Sequence, residues 1–217
     1  MNKNILVILA AGIGSRFGTK LPKQYTVING RKVIEICLQE MSQSQLTDKI
    51  ILVVNDSSKI QYMKQLFEFD VIEGGDSRIA SFQRAINYIN DAYPLCDKVI
   101  FHEAARPLIT SDIIDKYFVL LDQYDYVETC KRITDSLGSY VIKAPNREDY
   151  YLIQAPEAYR FEVLKKYFDV NSPIYFAANQ FPDTCRGFQF FNVKYNYKLT
   201  IPEDKIIIEA ILKNRAE

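Results

Sequence analysis

The chain has 217 residues, of which 48% are hydrophobic and 25% charged, values that are ordinary for one well-packed globular domain. Twenty-seven basic residues balance twenty-seven acidic ones, so the overall charge does not favour binding to nucleic acid or to an anionic membrane, and any bound polyanion must be held by a local cluster of cations. No apolar run approaches the roughly 20 residues of a membrane span, and the four scattered cysteines, without a C-x-x-C pair, are typical of reduced thiols in a cytoplasmic protein.

Strand-like runs alternate with helical patterns through the first half of the chain, as expected of βαβ units in a mostly parallel sheet. The predicted strands are the apolar run Asn4–Leu9, KIILVV at 49–54, DVIEGG at 70–75 and KVIFH at 98–102. The predicted helices are VIEICLQEM, SKIQYMKQLFE with Asp56 or Ser57 as its cap, SRIASFQRAINYIND, and SDIIDKYFVLLDQY with its N-terminus at Ser111 and Asp112. In the first helix, the spacing of Val33, Ile34, Leu38 and Met41 predicts one buried side.

From about Val127 the pattern changes to the short β-like pieces YVETCKRI, SLGSYVIK and DYYLIQ, separated by Gly138 and by Ala-Pro-Asn. These pieces predict an extended excursion of antiparallel strands, a β-arm at about 130–157. A helix near Phe161–Phe168, the strand FQFFNV and the helix PEDKIIIEAILKN follow, the last with Pro202 in its first turn. We therefore expect a single domain over residues 1–217, a three-layer, Rossmann-like α/β fold with helices on both faces of the sheet.

The first predicted strand leads straight into the loop AAGIGSRFGTKLPKQY, residues 10–25, which contains three glycines, one arginine and two lysines. Glycine-rich turns after a first strand commonly hold a phosphate, because backbone N–H groups can approach it closely. The spacing differs from the G-x-x-x-x-G-K-[ST] loop of P-loop NTPases, and no helical pattern begins at the lysine. A dinucleotide fold is a closer alternative, since Gly12, Gly14 and Gly18 form G-x-G-x-x-x-G.

Pro22 argues against the dinucleotide alternative. In a dinucleotide fold the residues after the glycines continue as a helix, which the pair Leu21-Pro22 opposes. The acidic ribose ligand is expected about 20 residues later, and Asp56, which ends the second strand, comes too late. The loop is therefore expected to wrap a triphosphate without becoming helical, with Arg16 and Lys23 supplying positive charge.

Four ordered motifs resemble those of the cytidylyltransferases that act on methylerythritol phosphate and on ribitol phosphate. The loop at 10–25 resembles the signature loop of that family, and GGDSRIAS at 74–81 resembles its second nucleotide loop. HEAARP at 102–107 resembles a His-Asp-Ala-Ala-Arg-Pro segment, and NYKLTIPED at 196–204 resembles the C-terminal Asn-Ile-Lys-Val-Thr-x-Pro-Glu-Asp. The resemblance covers most of the chain and implies a GT-A-like, Rossmann-type fold.

The resemblance implies a site for CTP at the first two motifs and at the C-terminal one. The catalytic residues would be Arg16 and Lys23, which bind the phosphates, and Lys198, which approaches the α-phosphate. The residues that would bind the nucleotide are Leu9, Ala10, Ala11, Gly12, Gly14, Gly75, Asp76, Ser81 and Ala104. Mg²⁺ or another divalent cation is also implied, because a triphosphate needs a hard cation with oxygen ligands.

The resemblance also implies an acceptor site. Its residues would be Glu103, Arg106, Ser136, Arg147 and Thr200. Glu103 replaces the aspartate of the family with a side chain one methylene longer and is the candidate metal ligand, although pairing with Arg106 is an alternative role. The β-arm resembles the arm through which these enzymes form homodimers, and Arg147 would bind the acceptor phosphate, in the same subunit or across the dimer.

Two departures from the family pattern lie near the expected acceptor site. The Thr-Pro-Gln of the family is Ala-Pro-Glu at 155–157, and its Asp-Asp-Ala is Pro-Asp-Thr at 182–184. A threonine hydroxyl is lost and a carboxylate is gained, while the nucleotide motifs are kept. This pattern favours an acceptor other than methylerythritol phosphate.

The expected function is that of a cytoplasmic, Mg²⁺-dependent cytidylyltransferase. It would join CTP to a polyol phosphate and release pyrophosphate, and the CDP-polyol would serve synthesis of a surface polysaccharide or teichoic acid. Three alternatives stay open: a 2-C-methyl-D-erythritol 4-phosphate cytidylyltransferase of isoprenoid synthesis, a non-catalytic CTP-binding homologue, and a dinucleotide-dependent oxidoreductase.

Overall fold

The computed structural model describes residues 3–12, 17, 22–55, 62–64, 68–143 and 145–216. Most of the helix predicted over SKIQYMKQLFE, together with its cap at Asp56 or Ser57, lies outside the described residues. No helix in the described parts of the chain is both long and apolar enough to cross a membrane.

Seven strands of the described chain form one sheet, and two more form a small antiparallel hairpin. The strands are β1 Lys3–Ala10, β2 Val27–Ile28, β3 Arg31–Lys32, β4 Lys49–Val54, β5 Asp70–Glu73, β6 Cys96–Glu103, β7 Tyr126–Arg132, β8 Tyr151–Arg160 and β9 Gly187–Phe190. The order in the large sheet is β5-β4-β1-β6-β8-β7-β9. Strand β8 runs antiparallel to β6 and β7, and the other pairs of this sheet are parallel.

Strand β1 lies at the point where the strand order changes direction, because β4 is on one side of it and β6 on the other. In open α/β sheets the crevice at the carboxyl ends of the strands beside such a point is where ligands bind. Here those ends are Ala10 of β1 and Glu103 of β6. The topology therefore brings Ala10, the first residue of the first predicted nucleotide loop, close to the start of the HEAARP motif.

Helices cover both faces of the sheet. The helices whose bounds lie within the described residues are α1 Val33–Met41, α2 Arg78–Ala92, α3 Ser111–Leu120, α4 Phe161–Tyr167 and α5 Pro202–Ala216, and residues 62–64 are also helical. In β1, Leu6 and Ile8 pack in one buried cluster with side chains of α1 and α3, whereas Ile5 and Val7 pack in another with side chains of α2 and α4. Because neighbouring residues of the strand point to opposite faces, its continuous apolar run is buried on both. The mostly parallel α/β fold predicted from the sequence is confirmed.

The predicted second half is right in outline and wrong at one strand. YVETCKRI and DYYLIQ contribute to the antiparallel pair β7 and β8, but SLGSYVIK, residues 136–143, forms no strand. Tyr140 and Val141 in this segment are almost fully exposed. Apolar and polar residues alternate in residues 136–143, but no described strand lies beside this segment to form the backbone hydrogen bonds of a sheet. The helix predicted over SDIIDKYFVLLDQY ends early, at Leu120.

The substitution Phe82→Ala tests the packing that fixes α2 against the sheet. Phe82 is buried, and its ring stacks on that of Phe101 in β6 with the ring centroids 3.6 Å apart. We expect the free energy of unfolding to fall by about 3–5 kcal/mol in urea denaturation, because removal of a large buried ring leaves a cavity. The control Leu95→Ala, at an exposed side chain, should change it by less than about 0.5 kcal/mol. Equal losses in the two variants would contradict this packing.

Candidate active site

A cavity of about 570 Å³ opens at the carboxyl ends of β1 and β6. This volume lies within the range of small-molecule and cofactor sites. The cavity lies at the point in the sheet where a ligand is expected from the topology. Its lining residues are Leu9, Ala10, Ala11, Gly12, Lys23, Gln24, Asn55, Glu73, Gly74, Gly75, Asp76, Ser77, Arg78, Ser81, Arg84, Glu103, Ala105, Tyr175 and Lys198.

The turn at Gly74 and Gly75 brings backbone close to the cavity. A Cβ atom on Gly74 would lie 2.5 Å from the Cβ of Ala11 and 2.7 Å from the Oγ of Ser81, so a larger residue would push the turn away from β1. Ser81 fixes the turn from the other side, because its Oγ accepts a hydrogen bond from the Gly75 N–H at 3.1 Å. The two glycines of the second predicted nucleotide loop thus form a tight turn that lines the cavity.

Lys23 reaches the cavity from a short 3₁₀ helix, Lys23–Tyr25. The next residue, Gln24, is buried, and its Nε2 donates a hydrogen bond of 2.6 Å to the carbonyl of Ala10 at the end of β1. This bond ties the returning end of the glycine loop to the first strand. This anchor holds the neighbouring Lys23 at the cavity.

Glu103 lies at the centre of a cluster of three cations. Its Oε2 is 2.8 Å from Lys198 Nζ and 3.0 Å from Arg106 Nε, and its Oε1 is 3.5 Å from Arg78 Nε. Burial alone would raise the pKa of the Glu103 carboxyl, but Lys198, Arg106 and Arg78 hold that pKa well below its usual range. Glu103 is therefore an anion at neutral pH.

The C-terminal motif is pinned to the turn that follows β6. The N–H of the buried Leu199 donates to the carbonyl of Ala105 at 2.8 Å, which places the preceding Lys198 beside Glu103. Thr200 does not line the cavity. Its N–H donates to Asp204 Oδ2 at 2.7 Å, and its Oγ1 donates to the carbonyl of Lys198 at 3.2 Å. Thr200 thus supports the backbone that carries Lys198.

Arg106 and His102 are buried behind the cavity wall. Arg106 Nη1 donates to the carbonyl of Asn196 at 2.9 Å, so this arginine connects Glu103 to the C-terminal motif. The Nε2 of His102 lies 3.1 Å from the carbonyl of Arg106, while its Nδ1 has no hydrogen-bond partner among the described residues. Burial, reinforced by the charge of Arg106, lowers the pKa of His102 to about 4. The imidazole is neutral at pH 7 and lies outside the cavity lining.

The cavity also contains residues that the sequence reasoning missed. Arg78 and Arg84 stand on α2, directly after the glycine turn, and Arg84 Nη1 donates to the carbonyl of Gly74 at 2.8 Å. Both positions could have been predicted, because a helix that begins three residues after Gly75 carries the side chains of its first two helical turns past the glycines. Tyr175 lies in an irregular segment with no local sequence signal.

The structure brings together most of the predicted site residues that it describes. Those that line the cavity are Leu9, Ala10, Ala11, Gly12, Lys23, Gly75, Asp76, Ser81, Glu103 and Lys198. Ala104 is buried beside it, and its neighbour Ala105 takes the lining position. Ser136 and Arg147 lie on the exposed segment between β7 and β8, where Arg147 Nη1 donates to the carbonyl of Thr134. Gly14 and Arg16 lie outside the described residues.

The described residues contain no group of three or more histidine, cysteine, aspartate or glutamate side chains that could hold a metal ion by themselves. Mg²⁺ bound with a nucleotide usually takes only one or two carboxylates and completes its shell with phosphate oxygens and water. Glu103 lines the cavity as an anion and could be one such ligand, although both of its oxygens already face cations. The donor set fits a metal that arrives with a triphosphate.

The single histidine of the chain allows a direct test of the buried site. We expect the ring proton shifts of His102, followed by NMR in untagged protein, to stay constant from pH 9 down to about pH 5, because burial keeps the imidazole neutral. Since the unfolded chain binds this proton near pH 6.5 and the folded one only near pH 4, stability should fall as the pH drops through that window, by up to about 1.4 kcal/mol per pH unit. A titration midpoint near 6.5 in the folded protein would contradict this burial.

Known proteins that are similar to this chain belong to the family that its four motifs resemble. Residues 4–214 match the family described as IspD: 2-C-methyl-D-erythritol 4-phosphate cytidylyltransferase. A bifunctional ribulose 5-phosphate reductase/CDP-ribitol pyrophosphorylase, Bcs1, of Haemophilus influenzae is 31% identical over 99% of this chain and 49% of that protein. The chain thus spans about half the length of this relative. A 2-C-methyl-D-erythritol 4-phosphate cytidylyltransferase of Clostridium botulinum (strain 657 / Type Ba4) is 27% identical, with 98% of this chain and 99% of that protein covered.

A solved structure, the 4-diphosphocytidyl-2C-methyl-D-erythritol synthase of Anaerococcus prevotii DSM 20548, has the same fold. Its TM-score is 0.81 at 24% sequence identity, with 98% of this chain and 99% of that chain covered. The family match leaves out only a few residues at each end of the sequence. The chain therefore belongs to the IspD family of 2-C-methyl-D-erythritol 4-phosphate cytidylyltransferases.

Proposed function

We propose that this chain transfers CMP from CTP to a polyol phosphate, giving a CDP-polyol and pyrophosphate. The observation that carries the proposal is that Lys23, Lys198 and the Gly74–Gly75 turn, which are far apart in sequence, line one cavity at the switch point of the sheet. Backbone groups at the turn suit a base and ribose, and the two lysines suit phosphates. The family assignment supports the cytidylyl transfer itself.

In the proposed reaction an acceptor phosphate oxygen forms a bond to the α-phosphorus of CTP. The bond from that phosphorus to the bridging oxygen of the β-phosphate breaks, and its electron pair leaves with pyrophosphate. The attacking oxygen is already anionic, so the chain needs no general base. Lys23 and Lys198 stabilise the charge that develops between the reacting groups, and Glu103 orients Lys198 at 2.8 Å. When bound, Mg²⁺ would neutralise part of the phosphate charge.

The acceptor we propose is a linear sugar-alcohol phosphate such as ribitol 5-phosphate. Two observations support it over methylerythritol phosphate. One relative with more than 30% identity is named for CDP-ribitol synthesis, and the family's Thr-Pro-Gln is Ala-Pro-Glu at 155–157 in this chain. Glu157 pairs with Arg78, which lines the cavity, so the change alters the charge at its wall. Relatives named for methylerythritol phosphate make that acceptor the alternative.

The cellular location, the use of the product and the oligomeric state stay predictions. We propose a cytoplasmic enzyme, a product used for surface polysaccharide or teichoic acid, and a homodimer formed through the segment between β7 and β8. The exposed apolar side chains of Tyr140 and Val141 in that segment support an interface there. Arg147, on the same segment, would then bind the acceptor phosphate in one of the two active sites.

A panel of acceptors tests the proposed function. Purified protein is given CTP, Mg²⁺ and one acceptor at a time, namely ribitol 5-phosphate, methylerythritol phosphate or glycerol 3-phosphate, and pyrophosphate release is followed. We expect release with ribitol 5-phosphate and at least a tenfold lower kcat/KM with methylerythritol phosphate, the size of effect that one mispaired buried polar group produces. The reverse preference would support the alternative acceptor. Silence with every acceptor, together with CTP binding in calorimetry, would support the non-catalytic homologue.

The substitution Lys198→Met tests the proposed α-phosphate contact. We expect kcat to fall by about 10²–10³-fold, as for other single charge-stabilising donors. The fold should be kept, because Glu103 remains paired with Arg78 and Arg106. Lys194→Met, at an exposed residue of the same segment, is the matched control and should leave kcat unchanged. A loss below threefold in the Lys198 variant would contradict its role.

A further inference from the structure

Arg78, the first residue of α2, holds its guanidinium between two carboxylates at the wall of the cavity. Its Nη2 donates to Glu157 Oε1 in a short, charge-assisted hydrogen bond, and its Nε is 3.5 Å from Glu103 Oε1. Burial opposes the charge of Arg78, but Glu157 and Glu103 outweigh burial and raise its pKa. Arg78 is therefore a permanently charged donor whose direction is fixed by two anions.

Glu157 is itself rigidly held. It is fully buried on β8, where it pairs in register with Phe101 of β6. Its second oxygen, Oε2, accepts a hydrogen bond of 2.6 Å from the hydroxyl of Tyr159, which is also buried. A carboxylate removed from water in this way is stable only with a charged partner, and Arg78 is that partner. The sheet thus fixes Glu157, and Glu157 fixes Arg78.

Two aromatic rings further restrict the guanidinium. The Cζ of Arg78 lies 5.8 Å from the centre of the Phe82 ring and 5.5 Å from that of Tyr175. Nη1 makes no hydrogen bond within the part of the chain that the structure describes, and the side chain is 22% exposed. Since Arg78 lines the cavity, its remaining N–H donors are available to a ligand there.

A ligand group bound by Arg78 would belong to the acceptor, because of where Arg78 lies. Arg78 and Lys198 contact the two different oxygens of the Glu103 carboxylate, so Arg78 borders the place where Lys198 would meet the α-phosphate. The acceptor has to approach that same place in order to attack. Glu103 is shared among three cations, whereas Glu157 pairs with Arg78 alone among them. Because Glu157 offsets the charge of Arg78, the remaining donors of Arg78 suit neutral hydroxyl oxygens better than a further phosphate.

We propose that Glu157 is a positioning residue that presents Arg78 to the hydroxyl groups of a phosphorylated acyclic polyol, and that this pair selects the acceptor. The inference rests on the proposed function, because it needs a polyol phosphate as the second substrate. It assigns to the carboxylate at position 157 a role in substrate choice, and to Arg78 a direct contact with substrate.

The test is the substitution Glu157→Gln, which keeps the size and one acceptor oxygen but removes the charge that orients Arg78. KM for ribitol 5-phosphate, KM for CTP and kcat are measured by pyrophosphate release in the wild-type protein and in the variant. We expect KM for the acceptor to rise about tenfold, as for loss of a charge-assisted hydrogen bond, and KM for CTP to change less than twofold. Asp97→Asn is the matched control, because it removes a carboxylate that pairs with Arg160, which lies on β8 like Glu157. Neither Asp97 nor Arg160 lines the cavity, so both KM values should stay unchanged.

Each outcome decides the inference. A rise confined to the acceptor KM supports it, whereas an unchanged acceptor KM, or an equal rise in both KM values, overturns it while the proposed function stands. A wild-type protein that uses no polyol phosphate overturns the proposed function, and the inference fails with it. If Glu157→Gln does not fold, judged by circular dichroism and CTP calorimetry, Arg78→Lys decides instead. That variant keeps the charge without the planar fork, and it must show the same selective rise in acceptor KM.

Discussion

The geometry of the active site depends on the ion pairs that the carboxylate of Glu103 makes. Three cations from separate parts of the chain contact it, namely Arg78 at the start of α2, Arg106 in the turn after β6, and Lys198 in the C-terminal motif. Without an anion between them these cations would repel one another in a partly buried site. With Glu103 in place, their mutual approach is stabilised, and two of them, Arg78 and Lys198, line one cavity.

The fold supplies this anion at the right point. Glu103 ends β6, a strand buried on both faces, and β6 lies beside β1 at the switch point of the sheet. Glutamate stands here where the pattern of the resembled family has an aspartate, and its carboxylate contacts all three cations. Charge is therefore organised before a ligand binds, so that little reorganisation is left for the transfer step.

The sequence predicts the strands and the motif lysines of this site better than it predicts the contacts among the side chains that line the cavity. A strand covered on both faces is almost continuously apolar, so buried runs such as 50–54 can be recognised in the sequence. Lys23 and Lys198 are predicted because each belongs to a motif of the family that the sequence resembles. The pair Arg78–Glu157 was missed because it joins residues 79 apart through a strand pairing that no local pattern reveals. The alternation of apolar and polar residues in SLGSYVIK predicts a half-buried strand. The sequence does not say whether another strand lies beside this segment to pair with it. The glycine spacing alone also allowed an oxidoreductase, which the family assignment shows to be wrong.

We propose that the cluster around Glu103 marks the place of cytidylyl transfer. A crystal structure of the protein with CTP and Mg²⁺ tests it most directly. We expect the cytosine at the Gly74–Gly75 turn and the α-phosphate within hydrogen-bond distance of Lys198 Nζ, with Glu103 still between its three cations. A triphosphate bound away from Lys198, or a Glu103 side chain displaced from all three cations, would contradict it.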